Sequence, residues 1–241
     1  MRVILLIYYK TIGIKLKIWY DAKRDLNIVH QQLRSLYDID RRIHMANLRG
    51  TKTLENLMKA FAGESQARTR YTYFASVAGK EGYKQIQNIF TETAENEKEH
   101  AKVFMKLALE HLDGENPAPV EINATYPFAF GDTIANLRAA ADGEKEEHEI
   151  DYPEFARIAK EEGFPGIAAR FTAIAKVEKH HEARYRKLLE NIENGTVFKK
   201  DGKVFWKCIN CGHIHEGDAA PALCPACHHP RDYFQLLDDC F

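Results

Sequence analysis

From Thr51 onward apolar residues recur at intervals of three and four. Leu54, Leu57, Met58 and Phe61 fall on one stripe, with alanines and charged residues between them. That spacing is the period of an amphipathic helix. Strand-like alternation is not evident in this region before the C-terminal tail. Breakers interrupt the helical pattern at residues 79–82, across "DGENPAPVEINATYPFAFGD" (113–132) and at 162–166, which leaves four helices of roughly 25–30 residues. A long connector between two short ones is the order expected of a four-helix bundle with a single crossover.

The two halves of this region match each other when Gly82 is laid on Gly163. Tyr71 then falls on Tyr152, Phe74 on Phe155, Phe90 on Phe171, Glu97 on Glu178 and His100 on His181, all without a gap. Such self-similarity predicts a duplicated helix pair whose copies face each other, because one pair cannot bury its own apolar face.

Some of the matched positions are acidic. Glu97-Lys98-Glu99-His100 and Glu178-Lys179-His180-His181 are each Glu-x-x-His, and residues three apart share a helix face. A single copy arises easily on a charged, solvated helix, but two copies at equivalent repeat positions predict a common inward site. One such motif from each pair, with a Glu from each remaining helix, is the ligand arrangement of di-iron carboxylate bundles. The remaining helices offer Glu64 in "AFAGESQAR" and Glu144 with Glu147 in "ADGEKEEHE". The gapless alignment lays Glu64 on Lys145, so Glu144 stands one residue out of register. Helix geometry places Glu95, Glu99 and His180 on outer faces and leaves Glu182 open between an inward and a surface position. Tyr71 and Tyr152 lie about two turns beyond Glu64 and Glu144, where each is a core aromatic whose hydroxyl needs a partner, with a ligand carboxylate the expected one.

After Asn194-Gly195, read as a helix end, Cys208, Cys211, Cys224 and Cys227 form C-x2-C-x12-C-x2-C. Four thiolates at this spacing close a tetrahedral site that takes zinc or iron, and spacing does not choose between them. Gly212 and Pro225 favour tight turns that aim backbone N–H groups at sulfur. Cys240 lies outside the pattern.

Composition narrows the picture. The 34 Lys and Arg against 35 Asp and Glu give a formal charge of −1, without the basic field that collects nucleic acid. Clustered C-x-x-C pairs in place of a disulfide framework point to a reducing cytoplasm. Residues 1–44 differ from all that follows: an apolar run from Val3 to Tyr9, then an unpatterned mixture of Lys, Arg, Ile and Tyr. The run is too short to span a bilayer. Arg2 precedes it as in a signal peptide, but no small-residue cleavage site follows. Met45 is read as the natural start, residues 1–44 as a leader without chemistry, 45–195 as the bundle and 196–241 as the four-cysteine domain.

The segments "AFAGESQARTRY", "ETAENEKEHAK", "YPEFARIAKEEG" and "WKCINCGHIHEGDAAPALCPACHHP", in that order, resemble the rubrerythrin family from Met45 to nearly the end. The resemblance implies a ferritin-like bundle with two irons per chain and a small β-rich rubredoxin-like domain with one. It further implies a homodimer, expected head-to-tail, that reduces hydrogen peroxide to water in oxidative-stress defence. Electrons would come from NAD(P)H through a separate reductase or a rubredoxin. Carried over residue by residue, the di-iron ligands would be Glu64, Glu97, His100, Glu144, Glu147, Glu178 and His181, with Glu97 and Glu178 bridging. His100 and Glu147 would exchange as ligands on oxidation, and Cys208, Cys211, Cys224 and Cys227 would hold the third iron. A ferroxidase or iron-storage protein on the same bundle is the rival expectation, and a zinc-ribbon interaction protein a more distant one; neither nucleic acid nor a membrane is expected as a partner.

Overall fold

The structure, a computed structural model, describes the backbone of residues 2–9 and 14–21 and the whole of residues 47–112 and 119–237. It divides into two compact units, residues 1–47 and 48–241. In the first, β1 (Arg2–Tyr9) pairs antiparallel with β2 (Ile14–Asp21) in unbroken register from Arg2↔Asp21 to Tyr9↔Ile14. The expectation of an unpatterned leader is corrected here. Ile14, Leu16 and Ile18 alternate with Lys15 and Lys17, which is the period of a strand. Met45 and Cys240 lie outside the described residues.

The second unit begins with α1 (Lys52–Lys80) and α2 (Lys84–Glu110), packed against each other. The third helix of the bundle is composite: α3 (Thr133–Glu146), one π-helical turn (Glu147–Asp151) and α4 (Tyr152–Glu161) follow without a break. It packs against α5 (Pro165–Glu193). Gly82 and Gly163 close the two short turns at φ of 84° and 87°, a left-handed backbone that a side chain would strain. The glutamates just before them do equivalent work across the bundle. Glu162 accepts the Lys52 and Thr53 N–H groups at 3.0 and 2.8 Å, and Glu81 accepts that of Thr133 at 2.9 Å. Each pair thus caps the opening helix of the other, where free N–H groups need acceptors.

A layer of buried charge divides the bundle's apolar core. One half holds Phe104, Tyr152, Phe171, Leu57 and Ile174, and the other Tyr71, Phe74, Phe90, Tyr185 and Leu137. The repeat is visible in the rings. Phe74 meets Phe90 edge-on at 5.6 Å and Phe155 meets Phe171 at 5.5 Å, while Tyr71 lies 5.6 Å from Tyr185 and Tyr152 the same distance from Phe104.

The tail is a three-stranded antiparallel sheet, ordered β4-β3-β5, of β3 (Lys199–Cys208), β4 (Ile214–Ala219) and β5 (Phe234–Leu236). Its small core is Trp206, Cys208, Ala220, Cys224 and Phe234. Trp206 Nε1 donates to the Gly217 carbonyl at 3.1 Å, which answers the one polar atom of that buried ring. Tyr83, at the turn between α1 and α2, stacks parallel to Phe198, with ring centres 6.4 Å apart, where the tail meets the bundle.

Candidate metal centres

On α2 the buried positions run Ile86, Phe90, Thr93, Ala94, Glu97, Ala101, Phe104 and Ala108. Glu97 therefore belongs to the core stripe, and His100, one turn on, stands at its edge. On α5 the buried stripe carries Glu178, His181 and Tyr185. Glu95, Glu99 and His180 are exposed, as helix geometry requires. Glu64 from α1 and Glu144 from α3 complete the layer, both buried.

These side chains form two sets of four. Glu64, Glu97, His100 and Glu178 bring one ligand atom each to within 4.8 Å of one another, and Glu97, Glu144, Glu178 and His181 do the same. Glu97 and Glu178 belong to both. His100 Nδ1 lies 2.9 Å from Glu97 and from Glu178, and 3.7 Å from Glu64. His181 Nδ1 lies 2.8 Å from Glu178, 3.2 Å from Glu97 and 3.7 Å from Glu144. The arrangement is nearly two-fold symmetric, with two carboxylates on the axis and each offering one oxygen to either side.

Glu147 stands apart from both sets. It is half-buried and lines a cavity of about 210 Å³ with Gly63, Arg70, Tyr71, Tyr126 and Tyr152. Gly63 faces this wall: a Cβ there would make ordinary contact with Glu147 Oε1 at 3.8 Å and with the Tyr126 ring at 3.5 Å.

The tyrosines cross between the pairs. Tyr71 donates to Glu144 Oε1 at 2.6 Å and Tyr152 to Glu64 Oε1 at 2.5 Å. Burial pushes both phenols well above their usual range, so they remain donors. Glu182 proves to be neither inward nor free: it accepts from His148 at 2.7 Å and from Arg186 at 3.1 Å.

The layer fits a pair of cations. Glu64 Oε2, Glu97 Oε1, Glu144 Oε2, both oxygens of Glu178 and His181 Nδ1 are buried without a hydrogen bond, which is costly for so many polar atoms at one level of a core. Burial, with nearby Glu178 and Glu97 adding to it, pushes Glu64 well above the carboxylate range. Burial and the charge of Glu97 bring Glu144 up to about 8. Glu97, against the effect of burial, is drawn down to about 2 by its hydrogen bond with His100 and the neighbouring His181 imidazole. His181, again against burial, is raised to about 12 by Glu144, Glu178 and Glu97. Divalent cations answer the same excess of acceptors that these protons answer, and oxygen with imidazole nitrogen suits iron.

In the tail all four sulfurs lie within 4.8 Å of one another, with Cys208 3.8 Å from Cys227 and Cys211 3.6 Å from Cys224. Two knuckles present them in the same way. Cys208 N donates to the His213 carbonyl and Cys224 N to that of His229, both at 2.8 Å. The residue after each knuckle has a positive φ: Gly212 at 79° and His228 at 57°. The N–H of His229 faces Cys227 sulfur and favours its thiolate, lowering it to about 6. Cys211, although it receives the N–H of His213, is held up to about 12 by the neighbouring sulfurs. Thiols this crowded ionise together only around a cation.

Sequence reading missed why Glu144 lies out of register. Before the π turn the repeat is clear: Thr53, Asn56, Leu57, Ala60, Gly63 and Glu64 match Thr133, Asn136, Leu137, Ala140, Gly143 and Glu144. After the π turn the offset is one residue greater, and Tyr71 matches Tyr152. A gapped comparison of the halves would have located that extra residue.

Comparison with known proteins gives the same division of the chain. The Rubrerythrin family model matches residues 55–189, and the model of the rubrerythrin rubredoxin-like domain matches 206–235. Rubrerythrin-1 of Clostridium acetobutylicum is 60% identical over 196 residues, covering 81% of this chain and 99% of that protein. The rubrerythrin of Nitratidesulfovibrio vulgaris is 48% identical over 194 residues, covering 80% and 98%. A solved structure of nigerythrin in a partially reduced state aligns with a TM-score of 0.51 at 34% identity, covering 80% of this chain and 92% of that one. Among the described residues no helix is long and apolar enough to cross a membrane. With a di-iron carboxylate–histidine site in a ferritin-like bundle and a four-cysteine rubredoxin-like iron site behind it, the chain belongs to the rubrerythrin family.

Proposed function

We propose that the chain is a non-haem di-iron peroxidase that reduces hydrogen peroxide to water in a reducing cytoplasm, as a defence against oxidative stress. The observation that carries this reading is the pair of ligand sets sharing Glu97 and Glu178 in the same chain as a four-thiolate site. Two ferrous ions held in the bundle would supply the two electrons that reduction of one peroxide requires. Glu64, Glu97, His100, Glu178 and Glu144, Glu97, Glu178, His181 would hold them, with Glu97 and Glu178 between. Tyr71 and Tyr152 fix Glu144 and Glu64 by donating to the oxygen that faces away from the site. The cavity bounded by Gly63, Tyr126 and Glu147 admits a small oxidant.

Glu147 has two tasks in this scheme. Burial and the charges of Glu64 and Glu144 push it well above the usual carboxylate range, so it keeps a proton at the cavity wall. Giving that proton to the reduced oxygen would leave a carboxylate able to serve as a ligand in place of His100, as the family resemblance implies for the oxidised site. Four thiolates at Cys208, Cys211, Cys224 and Cys227 would hold the iron that returns electrons singly. From Glu178 to Asn194 helix α5 rises about 24 Å, which carries a chain's own tail away from its bundle site. Electrons would then enter from the tail of a second copy in a head-to-tail homodimer, and exposed Phe128 and Phe130 on the crossover support a paired surface. The donor to the tail is an NAD(P)H-linked reductase or a rubredoxin. Residues 1–44 take no part in either site.

Cys208→Ser tests the division of labour. With the bundle irons loaded and reduced beforehand, one exposure to peroxide should oxidise them at a near-normal rate, while reductase-linked turnover collapses. Unimpaired turnover would remove the relay from the scheme and favour a structural zinc in the tail. Loss of the single oxidation would mean that the tail shapes the peroxide site.

A further inference from the structure

The π turn bears a side chain that the proposed chemistry leaves unused. His148 follows Glu147, and its imidazole is only 8% exposed, with Nε2 2.7 Å from Glu182 Oε2 on α5. The second oxygen of Glu182 accepts from Arg186 Nε at 3.1 Å, and the same guanidinium donates to Asp142 Oδ1 at 2.8 Å. With the Arg186 guanidinium on one oxygen of Glu182, its other oxygen serves as an acceptor and His148 is the donor. Asp142 precedes the π turn and His148 lies within it. The chain is thereby tied to two successive turns of α5 on both sides of Glu144 and Glu147.

The other helix pair shows what this network is for. Positions equivalent to Asp142, Glu182 and Arg186 are Ala62, Ala101 and Met105, none of which forms an ion pair. There α1 runs as regular helix past Glu64. The network occurs in the half that contains the π turn and is missing from the half that does not. A π turn inserts an extra residue into α-helix and is rare there.

We propose that Asp142, His148, Glu182 and Arg186 form a positioning clamp that holds the π turn against α5 and so keeps Glu147 at the cavity wall, within reach of the metal site. The clamp acts through Glu147 and touches neither metal nor peroxide. It rests on the reading of Glu147 as a ligand of the oxidised site.

The test is the midpoint potential of the bundle irons in the full-length, iron-loaded protein, compared among Glu147→Ala, Glu182→Ala, Glu182→Gln and the Glu147→Ala/Glu182→Ala double variant. Glu147→Ala removes a ligand of the oxidised state and raises the potential. Glu182→Ala should move it in the same direction by roughly tenfold in ferric over ferrous preference, the usual scale for an outer partner of a ligand, or about 59 mV for one electron. Glu182→Gln keeps an acceptor for His148 and should lie nearer the wild type. In the Glu147→Ala background, Glu182→Ala should add no more than about twofold, because two residues acting through one group are not additive. An undiminished Glu182→Ala shift in that background overturns the clamp, and so does a wild-type potential in a fully loaded Glu182→Ala protein. A wild-type potential in Glu147→Ala overturns the ligand reading beneath it and the clamp with it. Should Glu182→Ala fail to fold, His148→Ala cuts the same bond from the other side and is read in the same way.

Discussion

In the α1–α2 pair, seven residues of regular helix lead from Glu64 to Tyr71. In the α3–α5 pair the corresponding stretch, from Glu144 to Tyr152, is one residue longer and passes through the π turn. The elements that build the metal layer are closely matched in the two pairs: the Glu-x-x-His motifs, the crossed tyrosines, the glycine turns and the reciprocal glutamate caps. The π turn changes what stands three residues beyond the helix carboxylate. In the first pair that residue is Ala67, buried in the core; in the second it is Glu147, facing a cavity. Two matched pairs build a symmetric cage, and one inserted residue opens it on one side. Binding and reactivity are thus separable features of the fold.

Replacing either carboxylate on the axis should have the largest effect. Glu97→Ala and Glu178→Ala are each expected to lose both bundle irons, because each residue belongs to both ligand sets, whereas exposed Glu99→Ala and His180→Ala keep two. Iron counted per chain against the tail iron checks this, and loss of a single iron from Glu97→Ala would break the symmetry argument.

Removing the inserted residue is the next test. Deletion of exposed Glu149 should restore regular helix and turn Glu147 into the position that Ala67 holds in the other pair, at a cost of about 1–3 kcal/mol for a buried unpaired carboxyl. Adding Glu147→Ala should recover the loss in denaturant unfolding of metal-free protein. Wild-type stability in the deletion alone would show that the turn does not set Glu147's direction.

The pairs can also be compared by pH. Glu144 keeps its proton up to about 8, and Glu64 and Glu147 are raised as well, yet a ligand carboxylate must be ionised. Below those values a cation has to expel protons, so affinity should rise with pH by about tenfold per unit for each proton displaced and level off for Glu144 above about 8. Calorimetry in buffers of different ionisation heat measures the protons released; none released at neutral pH would contradict the assigned protonation.

The smallest effects concern the rings. Tyr71→Phe and Tyr152→Phe each strand a buried carboxylate oxygen and should cost about 1–3 kcal/mol, and by symmetry nearly the same. Tyr185 stands where the first pair has Phe104. Its hydroxyl lies near Thr93, but that group already donates to Ile89 and accepts from Arg184, and Tyr185 has no hydrogen bond. Tyr185→Phe should therefore be neutral or gain up to about 1 kcal/mol; a clear loss on thermal melting would reveal a partner for that hydroxyl.

How far the sequence carried the site depended on periodicity. Glu97, His100, Glu178 and His181 were legible because helix spacing and repeat position agreed on them, and Tyr71 and Tyr152 because an ungapped alignment holds on their side of the π turn. Glu64 and Glu144 were found by motif but mismatched by one residue, since a π turn leaves no composition signal of its own. The clamp was not legible at all: His148, Glu182 and Arg186 are ordinary surface types, and only the three-dimensional meeting of α3, the π turn and α5 joins them. His228 likewise takes a left-handed backbone without being glycine, a conformation set by the cysteine knuckle around it.

The charged layer that cuts the core in two has a consequence for how the bundle melts. Phe104 with Phe171, and Phe90 with Tyr185, are tight clusters on opposite sides of it, and the apolar contact that normally spreads cooperativity through a core is interrupted between them. Without cations, the helix backbones and the hydrogen bonds and ion pairs of the charged layer link the two clusters, so opening one need not open the other. Cations gripped by Glu97 and Glu178 would tie the halves into a single cooperative unit. The metal layer then also serves as the mechanical joint of the bundle, and any treatment that strips its iron loosens the protein from the middle.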